Sequence, residues 1–259
     1  MPSELLTERR GTTLVLTISD PPSRNTLSAQ VIAAGIEALG VAEANPEIRA
    51  VVVQGAGANF CAGGNVHGLI ERRAAGEAAQ RRMLEHLHHW VETMASYPKP
   101  LIAAVEGAAA GAGFSLALAC DLIVAAADAR FVLSHAKLGL SPDGGATARL
   151  AEALPPAFVK QMLWLAEPVS AATLHERGLV ALVSLPGSAL ADALILADRL
   201  VALAPGAVAS VKDLLAQAPR RSLVEQLGAE RDHFLANLFS ADGAEGLQAF
   251  AEKRAPRFS

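Results

Sequence analysis

Two turns built almost entirely from glycine and alanine are the parts of this sequence best suited to chemistry. Residues 104–115 read AVEGAAAGAGFS, and residues 51–65 read VVVQGAGANFCAGGN. In each segment a short apolar strand loses its bulky side chains just before a predicted helix. Backbone N–H groups can then approach a ligand closely, and those that open a helix have no partner within it. Such groups suit a developing oxyanion or a phosphate.

Two turns of this kind could aim one N–H group each at the same carbonyl oxygen, as enzymes of acyl chemistry do. Tight packing of a strand against a helix is the alternative for a single run of small residues. A nucleotide held by the backbone also stays open, although neither turn fits a known nucleotide motif. The sequence contains no Gly-x-x-x-x-Gly-Lys-Ser/Thr, and no acidic partner is evident about 20 residues after either glycine turn.

Three titratable residues are candidates for proton transfer. Asp143 lies in the segment SPDGG, where Pro-Asp-Gly is also a strong turn signal, so a purely structural aspartate is the alternative. His135 has the titration range of an acid–base catalyst, or it is a hydrogen-bonded histidine at the end of a strand. His88 lies between His86 and His89 on a predicted helix, where neighbours at this spacing do not all share one face.

The composition excludes several classes of protein. The chain has 259 residues, of which 52% are hydrophobic and 19% charged, so a substantial core and apolar contacts between subunits are expected. A net charge of -4 argues against a nucleic-acid partner. Two cysteines, Cys61 and Cys120, provide neither a zinc site nor a disulfide framework, and we expect buried thiols. Nothing in the sequence indicates a metal or a redox cofactor.

The sequence also predicts the location of the protein. The first residues, MPSE, lack the basic and apolar regions of a secretion signal. Glycines and acidic residues interrupt every apolar run before 18 residues, so we expect no membrane-spanning segment. The expected location is the cytoplasm.

Alternating strands and helices must position these candidates. Hydrophobic patterning predicts strands at residues 5–8, 13–19, 51–54, 101–105, 122–125 and 131–132. Ser28 is placed to cap a helix with Ile32, Ile36 and Leu39 on one face. Residues 66–97 read as helical, and another helix begins near residue 114. Successive helices are predicted at residues 189–204, 207–217 and 223–238, which gives the chain a helical C-terminal region.

The ordered motifs resemble those of the crotonase (enoyl-CoA hydratase/isomerase) superfamily over nearly the whole chain. The matching segments are FCAGG at 60–64, KPLIAAVEG at 99–107, GAG at 111–113, ACDLI at 119–123, GLSPDGG at 139–145, EGLQAF at 245–250 and EKRAP at 252–256. The resemblance implies an α/β fold, a spiral of ββα units with a helical C-terminal region. It also implies an acyl-CoA thioester as the substrate, with coenzyme A entering as part of that substrate.

By the same resemblance, the N–H groups of Ala62 and Ala112 bind the thioester carbonyl oxygen. Hydratases of this family use two glutamates to activate water, and this chain has Ser115 and His135 at those positions. Serine is not a general base without a partner, and none adjoins Ser115 in the sequence. The resemblance therefore places the usual hydration mechanism in doubt.

Isomerase-type members place a catalytic aspartate where this chain has Asp143. Overall similarity favours isomerase-like members that degrade aromatic acids, including ring-epoxide and oxepin-type CoA substrates, and an enolate-stabilising shift of a double bond or ring. An enoyl-CoA hydratase is one alternative. A hydrolase or dehalogenase that uses Asp143 with His88 is a second alternative, although those enzymes have a tryptophan where His135 stands. A catalytically inactive CoA-binding subunit is a third.

The resemblance also assigns contacts to the CoA portion and a subunit arrangement. Arg24 is placed to meet a phosphate, and the backbone around Ala62, Gly64, Asn65 and Gly111 to approach the adenine and pantetheine. Asn65 replaces a common aspartate, and Lys253 could reach a phosphate across a subunit interface. Family members form trimers or dimers of trimers. We therefore predict a core at residues 1–198 with the CoA-thioester site, followed by a helical oligomerisation region at residues 199–259.

Overall fold

A computed structural model describes residues 3–259, and Met1 and Pro2, the start of the segment predicted to lack a secretion signal, lie outside the described residues. The nine strands of residues 3–259 are β1 (Glu4–Arg10), β2 (Thr13–Ser19), β3 (Ala50–Gly55), β4 (Leu101–Val105), β5 (Ala108–Ala110), β6 (Leu122–Ala126), β7 (Arg130–Val132), β8 (Val169–Ser170) and β9 (Leu182–Ser184). The eleven α-helices of the same residues are α1 (Ala29–Ala44), α2 (Val66–Ala75), α3 (Glu77–Ser96), α4 (Ala112–Ala119), α5 (Ala146–Ala153), α6 (Pro156–Leu165), α7 (Ala171–Glu176), α8 (Ala189–Val201), α9 (Pro205–Gln217), α10 (Leu223–Leu238) and α11 (Ala241–Glu252).

The strands form two sheets, and the α/β fold class is as predicted. The larger sheet has the order β1-β2-β3-β4-β6-β9, in which β1 and β2 are antiparallel and the remaining neighbours are parallel. The smaller sheet has the order β5-β7-β8. Each of β4 and β6 is followed closely by a short strand of the smaller sheet, so the chain passes repeatedly from one sheet to the other.

Both faces of the larger sheet are buried at β3 and β4, as the unbroken apolar run in β3 predicted. Alternate residues point to opposite faces of a strand. Val52 and Ile102 pack with the alanines of α8, whereas Val51, Val53 and Leu101 belong to the main core beneath α1 and α3. This double cover fixes β3 and β4, which lead into the two glycine- and alanine-rich turns.

The helices that flank the site follow the sequence signals with two differences. The Ser28 side chain accepts a hydrogen bond from the N–H of Val31, which confirms the predicted cap of α1. The helical stretch at 66–97 is divided at Gly76, whose φ of +99° suits glycine, into α2 and α3. Helix α4 begins at Ala112, two residues earlier than expected, because glycine at 111 opens it.

The C-terminal region is helical as predicted. Helix α9 begins at Pro205, where proline suits the first helical turn, and α11 was not predicted. The predicted boundary at residue 198 falls inside α8, which packs against the larger sheet, and the division of the chain there stays a prediction.

One further observation concerns membrane spans. No single helix within residues 3–259 combines the length and hydropathy needed to cross a membrane. Helix α8 and residues 205–220 satisfy both criteria together, with a bend of 106° between them.

Candidate functional site

The two glycine- and alanine-rich turns lie side by side. The N–H of Cys61 donates to the carbonyl of Ala108 at 3.0 Å, and the N–H of Ala110 donates to the carbonyl of Cys61 at 2.9 Å. Gly113 lies so close to this junction that an added Cβ would stand 2.3 Å from the Cys61 carbonyl oxygen. Small residues are therefore required here because two backbone segments pack directly against each other, and the same contact forms a ligand-sized opening beside them.

Hydrogen bonding within the chain decides which N–H groups of these turns are available. The N–H of Ala62 donates to the carbonyl of Arg24 at 2.9 Å, and the N–H of Gly111 donates to the carbonyl of Val132 at 2.9 Å. Both donors are therefore occupied. The expected role of Ala62 as an oxyanion donor does not fit this geometry, because its hydrogen already has an acceptor 38 residues earlier in the chain.

Among the N–H groups of the turns that have no hydrogen-bond partner within residues 3–259 are those of Gly64 and of Ala112, the first residue of α4. The turns bring these segments together, since an added Cβ on Gly63 would lie 3.0 Å from the Ala112 nitrogen. A free N–H at the start of a helix also lies at the positive end of the helix dipole. The pair can therefore bind a partly negative oxygen.

Both of these residues line a cavity of about 560 Å³. Most of its wall is aliphatic, and α3 together with the segment after β7 supplies much of it: Leu84, Leu87, Leu138 and Leu140. Asp143 is the one carboxylate among the described residues that line this cavity. A thioester with an apolar acyl chain would suit such a wall, whereas the polar groups are confined to a few positions.

His135 and Asp143 face each other at the edge of the cavity. His135 belongs to the 3₁₀ helix Ser134–Leu138, and Asp143 follows in the next loop. The distance from His135 Nε2 to Asp143 Oδ1 is 3.5 Å, and the side chains are 13% and 29% exposed. An added Cβ at Gly111 would stand 3.9 Å from the imidazole, an ordinary van der Waals distance, so the ring packs directly beside this turn. The structure thus places two of the predicted titratable residues, His135 and Asp143, side by side.

The Ser115 side chain holds the Asp143 loop in place and does not face a ligand. Its side chain is buried, and its Oγ donates a hydrogen bond to the backbone carbonyl of Asp143 at 2.9 Å. No partner adjoins Ser115 in the sequence, and the one that the structure shows lies 28 residues away. The hydroxyl is occupied in holding the Asp143 loop, so it is not free to act as a base.

The remaining predicted residues divide into those at the cavity and those away from it. His88 lines the cavity from α3. Asn65 also lines it, and its Oδ1 caps α2 by accepting hydrogen bonds from the N–H groups of His67 and Gly68. Asn65, which stands where the family commonly has an aspartate, therefore has a structural role.

Arg24 and Lys253 do not line the cavity. The backbone carbonyl of Arg24 accepts the hydrogen bond from the Ala62 N–H, and the residue is exposed. Lys253 ends α11 on the surface. The phosphate-binding role expected of these two residues stays a prediction.

Both cysteines are free and buried, as predicted. Burial raises the pKa of the Cys61 thiol to about 12, and the hydrogen bond from the Gly63 N–H opposes this only in part. Burial likewise raises the pKa of the Cys120 thiol. Neither thiol is therefore a nucleophile at neutral pH.

Sequence reasoning missed Arg72 and Gln80, which also line the cavity. In the sequence, Arg72 is one of several charged residues within the helical range 66–97, and its type alone does not separate it from them. Arg73 is adjacent and equally basic, and nothing in the charge pattern separates the two. Only the break at Gly76, which folds α3 back beside α2, brings Arg72 to the cavity wall.

Comparisons with known proteins identify the family of this chain. The family described as Enoyl-CoA hydratase/isomerase matches residues 8–259. The 2,3-dehydroadipyl-CoA hydratase of Escherichia coli (strain K12) is 33% identical over 256 residues, which cover 99% of this chain and 98% of that protein. The carnitinyl-CoA dehydratase of Salmonella typhi is 36% identical over 260 residues, with coverage of 99% and 98%.

Solved structures extend the similarity to the whole fold. The crystal structure of an enoyl-CoA hydratase from Polaromonas sp. JS666 superposes with a TM-score of 0.97 at 50% identity, covering 99% of this chain and 100% of that one. An enoyl-CoA hydratase from Mycobacterium tuberculosis H37Rv gives a TM-score of 0.88 at 32% identity, covering 99% and 98%. The chain therefore belongs to the enoyl-CoA hydratase/isomerase family of the crotonase superfamily.

Proposed function

We propose that this enzyme moves a double bond within an enoyl-CoA thioester, with Asp143 as the group that carries the proton. The observation behind this proposal is that Asp143 is the single carboxylate among the described residues lining the cavity. The two positions at which hydratases have glutamates hold Ser115, which is hydrogen-bonded away from the cavity, and His135. One carboxylate is sufficient for a proton shuttle between two carbons.

In the proposed reaction the Asp143 carboxylate removes a proton from the carbon next to the double bond. The electron pair left on that carbon is delocalised, and negative charge develops on the thioester oxygen. The N–H groups of Gly64 and Ala112 stabilise this oxygen, and donors of this kind contribute about 2.7–4 kcal/mol each in other enzymes. Protonated Asp143 then returns its proton to a second carbon, so the double bond moves and no water is consumed.

His135 fits this proposal as a donor to Asp143. Its Nδ1 is buried without a partner among the described residues, so a charged imidazolium would leave a buried N–H unsatisfied. A neutral ring with hydrogen on Nε2 instead directs its one donor toward the carboxylate. This contact would orient Asp143 between proton transfers.

Hydration is the second candidate, and two observations favour it. The relatives described above are named hydratases and a dehydratase. In addition, the 3.5 Å between His135 and Asp143 exceeds a good hydrogen bond, and such gaps often hold a bridging water. A water held there would add to the double bond with Asp143 as its base.

Two further alternatives receive less support from the cavity. Hydrolysis with Asp143 and His88 would require both side chains to reach one substrate carbon, and His88 lies on α3 and forms neither a hydrogen bond nor an ion pair with Asp143. A ring-isomerising enzyme of aromatic-acid degradation would share the proposed enolate chemistry. The lining contributed by residues 3–259 contains no Phe, Tyr or Trp, which favours aliphatic acyl chains.

We also propose a homotrimer, or a hexamer built from two trimers. The support is a set of exposed large apolar side chains on α10 and in the segment through α11: Leu223, Val224, Phe234, Phe239 and Phe250. Exposed apolar clusters of this size are typical of subunit contacts. Light scattering of the purified protein measures the mass directly, and a monomer would contradict this assignment.

The test of the reaction is incubation with straight-chain and aromatic-derived enoyl-CoA esters in deuterated water, followed by mass spectrometry. A shifted double bond, with or without deuterium, and without addition of water supports the isomerase. Net addition of water establishes the hydratase instead, and release of free CoA establishes the hydrolase. A protein that binds the esters but changes none of them is the inactive CoA-binding subunit.

A further inference from the structure

The side chain of Arg72 is held in one place at the cavity wall. Its Nε donates a hydrogen bond to Gln80 Oε1 at 2.7 Å, which ties α2 to α3. The guanidinium also lies along α2 against Gly68, where an added Cβ would be 2.9 Å from Nη1. These two contacts fix a side chain that would otherwise be mobile, which is the arrangement expected of an arginine that recognises a ligand.

The guanidinium has no acidic partner in the described part of the chain. No carboxylate of residues 3–259 lies within 4.0 Å of it, and its two Nη groups donate no hydrogen bond there. Asp20 and Glu71 line an adjacent cavity of about 540 Å³ that Arg72 also borders, and neither forms an ion pair with it. A half-buried, permanently charged group thus retains its donors for another molecule.

The surroundings of Arg72 are apolar on the side of the catalytic cavity. Leu69, Met83 and Leu84 line the same cavity, and Arg72 is its one arginine or lysine within residues 3–259. The adjacent cavity has further basic side chains in Arg82, His67 and His86. A phosphate of CoA would have several basic partners there, whereas an anion inside the catalytic cavity would have Arg72.

We infer that the acyl chain of the substrate ends in a carboxylate and that Arg72 binds it. The inference rests on the proposed CoA-thioester site, not on which reaction follows. Methylene groups of the chain would pack on Leu69 and Met83, and the two free Nη groups would donate to the two carboxylate oxygens. The substrate class is therefore the CoA ester of an unsaturated dicarboxylic acid.

The experiment measures binding by isothermal titration calorimetry with saturated esters, which cannot be isomerised or hydrated. The ligands are the mono-CoA esters of straight-chain dicarboxylic acids with four, six and eight carbons, the monocarboxylic esters of the same lengths, and CoA itself. The variants are Arg72→Met and Arg72→Lys. The control is Arg73→Met, an exposed arginine on the same helix that lines neither cavity.

For at least one chain length we expect the dicarboxylic ester to bind the wild type more tightly than its monocarboxylic counterpart. Arg72→Met should weaken that ester by about 10- to 100-fold, the range expected for hydrogen bonds to a charged group, and change the monocarboxylic ester by less than about threefold. Arg72→Lys keeps the charge without the paired donors, so its affinity for the dicarboxylic ester should fall between those of the wild type and Arg72→Met. Arg73→Met should match the wild type.

Three results would overturn the inference. Equal weakening of both ester series and of CoA would mean that Arg72 binds a CoA phosphate. Equal affinity of the wild type for the two series at every length would mean that no terminal carboxylate is recognised. Failure of all the esters and of CoA to bind would overturn the CoA-thioester site as well, whereas loss of selectivity alone leaves that site intact.

Discussion

The imidazole Nε2 of His135 lies 3.5 Å from the Asp143 carboxylate, at the edge of the cavity that the free backbone N–H groups of Gly64 and Ala112 also border. The two residues come from a 3₁₀ helix and the loop after it. Ser115 holds that loop from beneath by its hydrogen bond to the Asp143 carbonyl. A proton-transfer group and an oxyanion-binding group are thereby brought to one cavity.

Asp143→Asn tests the proton carrier. The amide has the same shape but cannot take up a proton, so turnover should fall by about 10²–10⁴-fold, while affinity for a saturated acyl-CoA stays within a few-fold. Steady-state kinetics and calorimetry measure the two effects. Asp128→Asn, in an exposed turn outside the cavity, is the control. Retention of most activity in Asp143→Asn would exclude Asp143 as the catalyst.

Substitution of the two cavity histidines, His135 and His88, should affect kcat to different extents. His135→Gln removes the ring that faces Asp143 and with it a donor that can reach the carboxylate through a bridging water, so we expect kcat to fall about tenfold or more. His88→Gln should change kcat by less than about threefold, because His88 forms neither a hydrogen bond nor an ion pair with Asp143. The opposite ranking would favour the hydrolytic mechanism in which His88 is the base.

Ala112→Pro removes one proposed oxyanion donor. Proline is well tolerated at the first position of a helix, which Ala112 occupies in α4, so the fold should persist. Loss of the N–H should lower kcat by about 10²–10³-fold. Ala241→Pro makes the same change at the first residue of α11, outside the cavity, and should leave kcat unaltered. An active Ala112→Pro enzyme would show that this N–H does not bind the thioester oxygen.

The Ser115→Ala variant tests whether Ser115 only holds the Asp143 loop in place or acts as a base. Loss of the hydrogen bond to the Asp143 carbonyl should lower the free energy of unfolding by about 1 kcal/mol. Activity should remain within about tenfold of the wild type. Ser184→Ala is a matched control, since Ser184 is buried and its Oγ has no hydrogen-bond partner among residues 3–259. A loss of activity near that of Asp143→Asn would give Ser115 a direct role in proton transfer.

Acid should weaken the contact between α11 and the C-terminal tail. Arg254 donates to both carboxylate oxygens of Glu245, at 2.6 and 2.9 Å, and the Arg257 N–H donates to one of them. These hydrogen bonds, first among them those from Arg254, lower the pKa of Glu245 from 4.5 to about 2. The carboxylate therefore stabilises the folded state above pH 4.5, and this contribution is lost as the pH falls toward 2.

Thermal unfolding across this pH range measures the effect. The difference in Tm between the wild type and Glu245→Gln should be largest above pH 4.5 and should shrink as the pH falls. Glu230→Gln, on α10 and outside this contact, should follow the wild type at every pH. A constant difference between Glu245→Gln and the wild type would mean that ionisation of Glu245 does not stabilise the tail.

Much of the fold was predictable because its strongest signals are local. The apolar run in β3, the Ser28 cap and the prolines and glycines between the C-terminal helices each depend on residues close in the chain. The short strands β8 and β9 were missed, since two or three residues carry no periodicity. The break at Gly76 was missed because one glycine within a charged helical stretch is a weak signal.

The sequence by itself determined the family, the two backbone turns and the candidates Asp143 and His135. Only the tertiary structure decided which groups are free to act. The N–H of Ala62 is occupied by a carbonyl 38 residues away and the hydroxyl of Ser115 by one 28 residues away, whereas Gly64 and Ala112 have unpaired N–H groups. Arg72 reaches the cavity because α3 folds back beside α2. The physical reason is that a residue's type is local, whereas its hydrogen-bond partners and burial are set by segments distant in the chain.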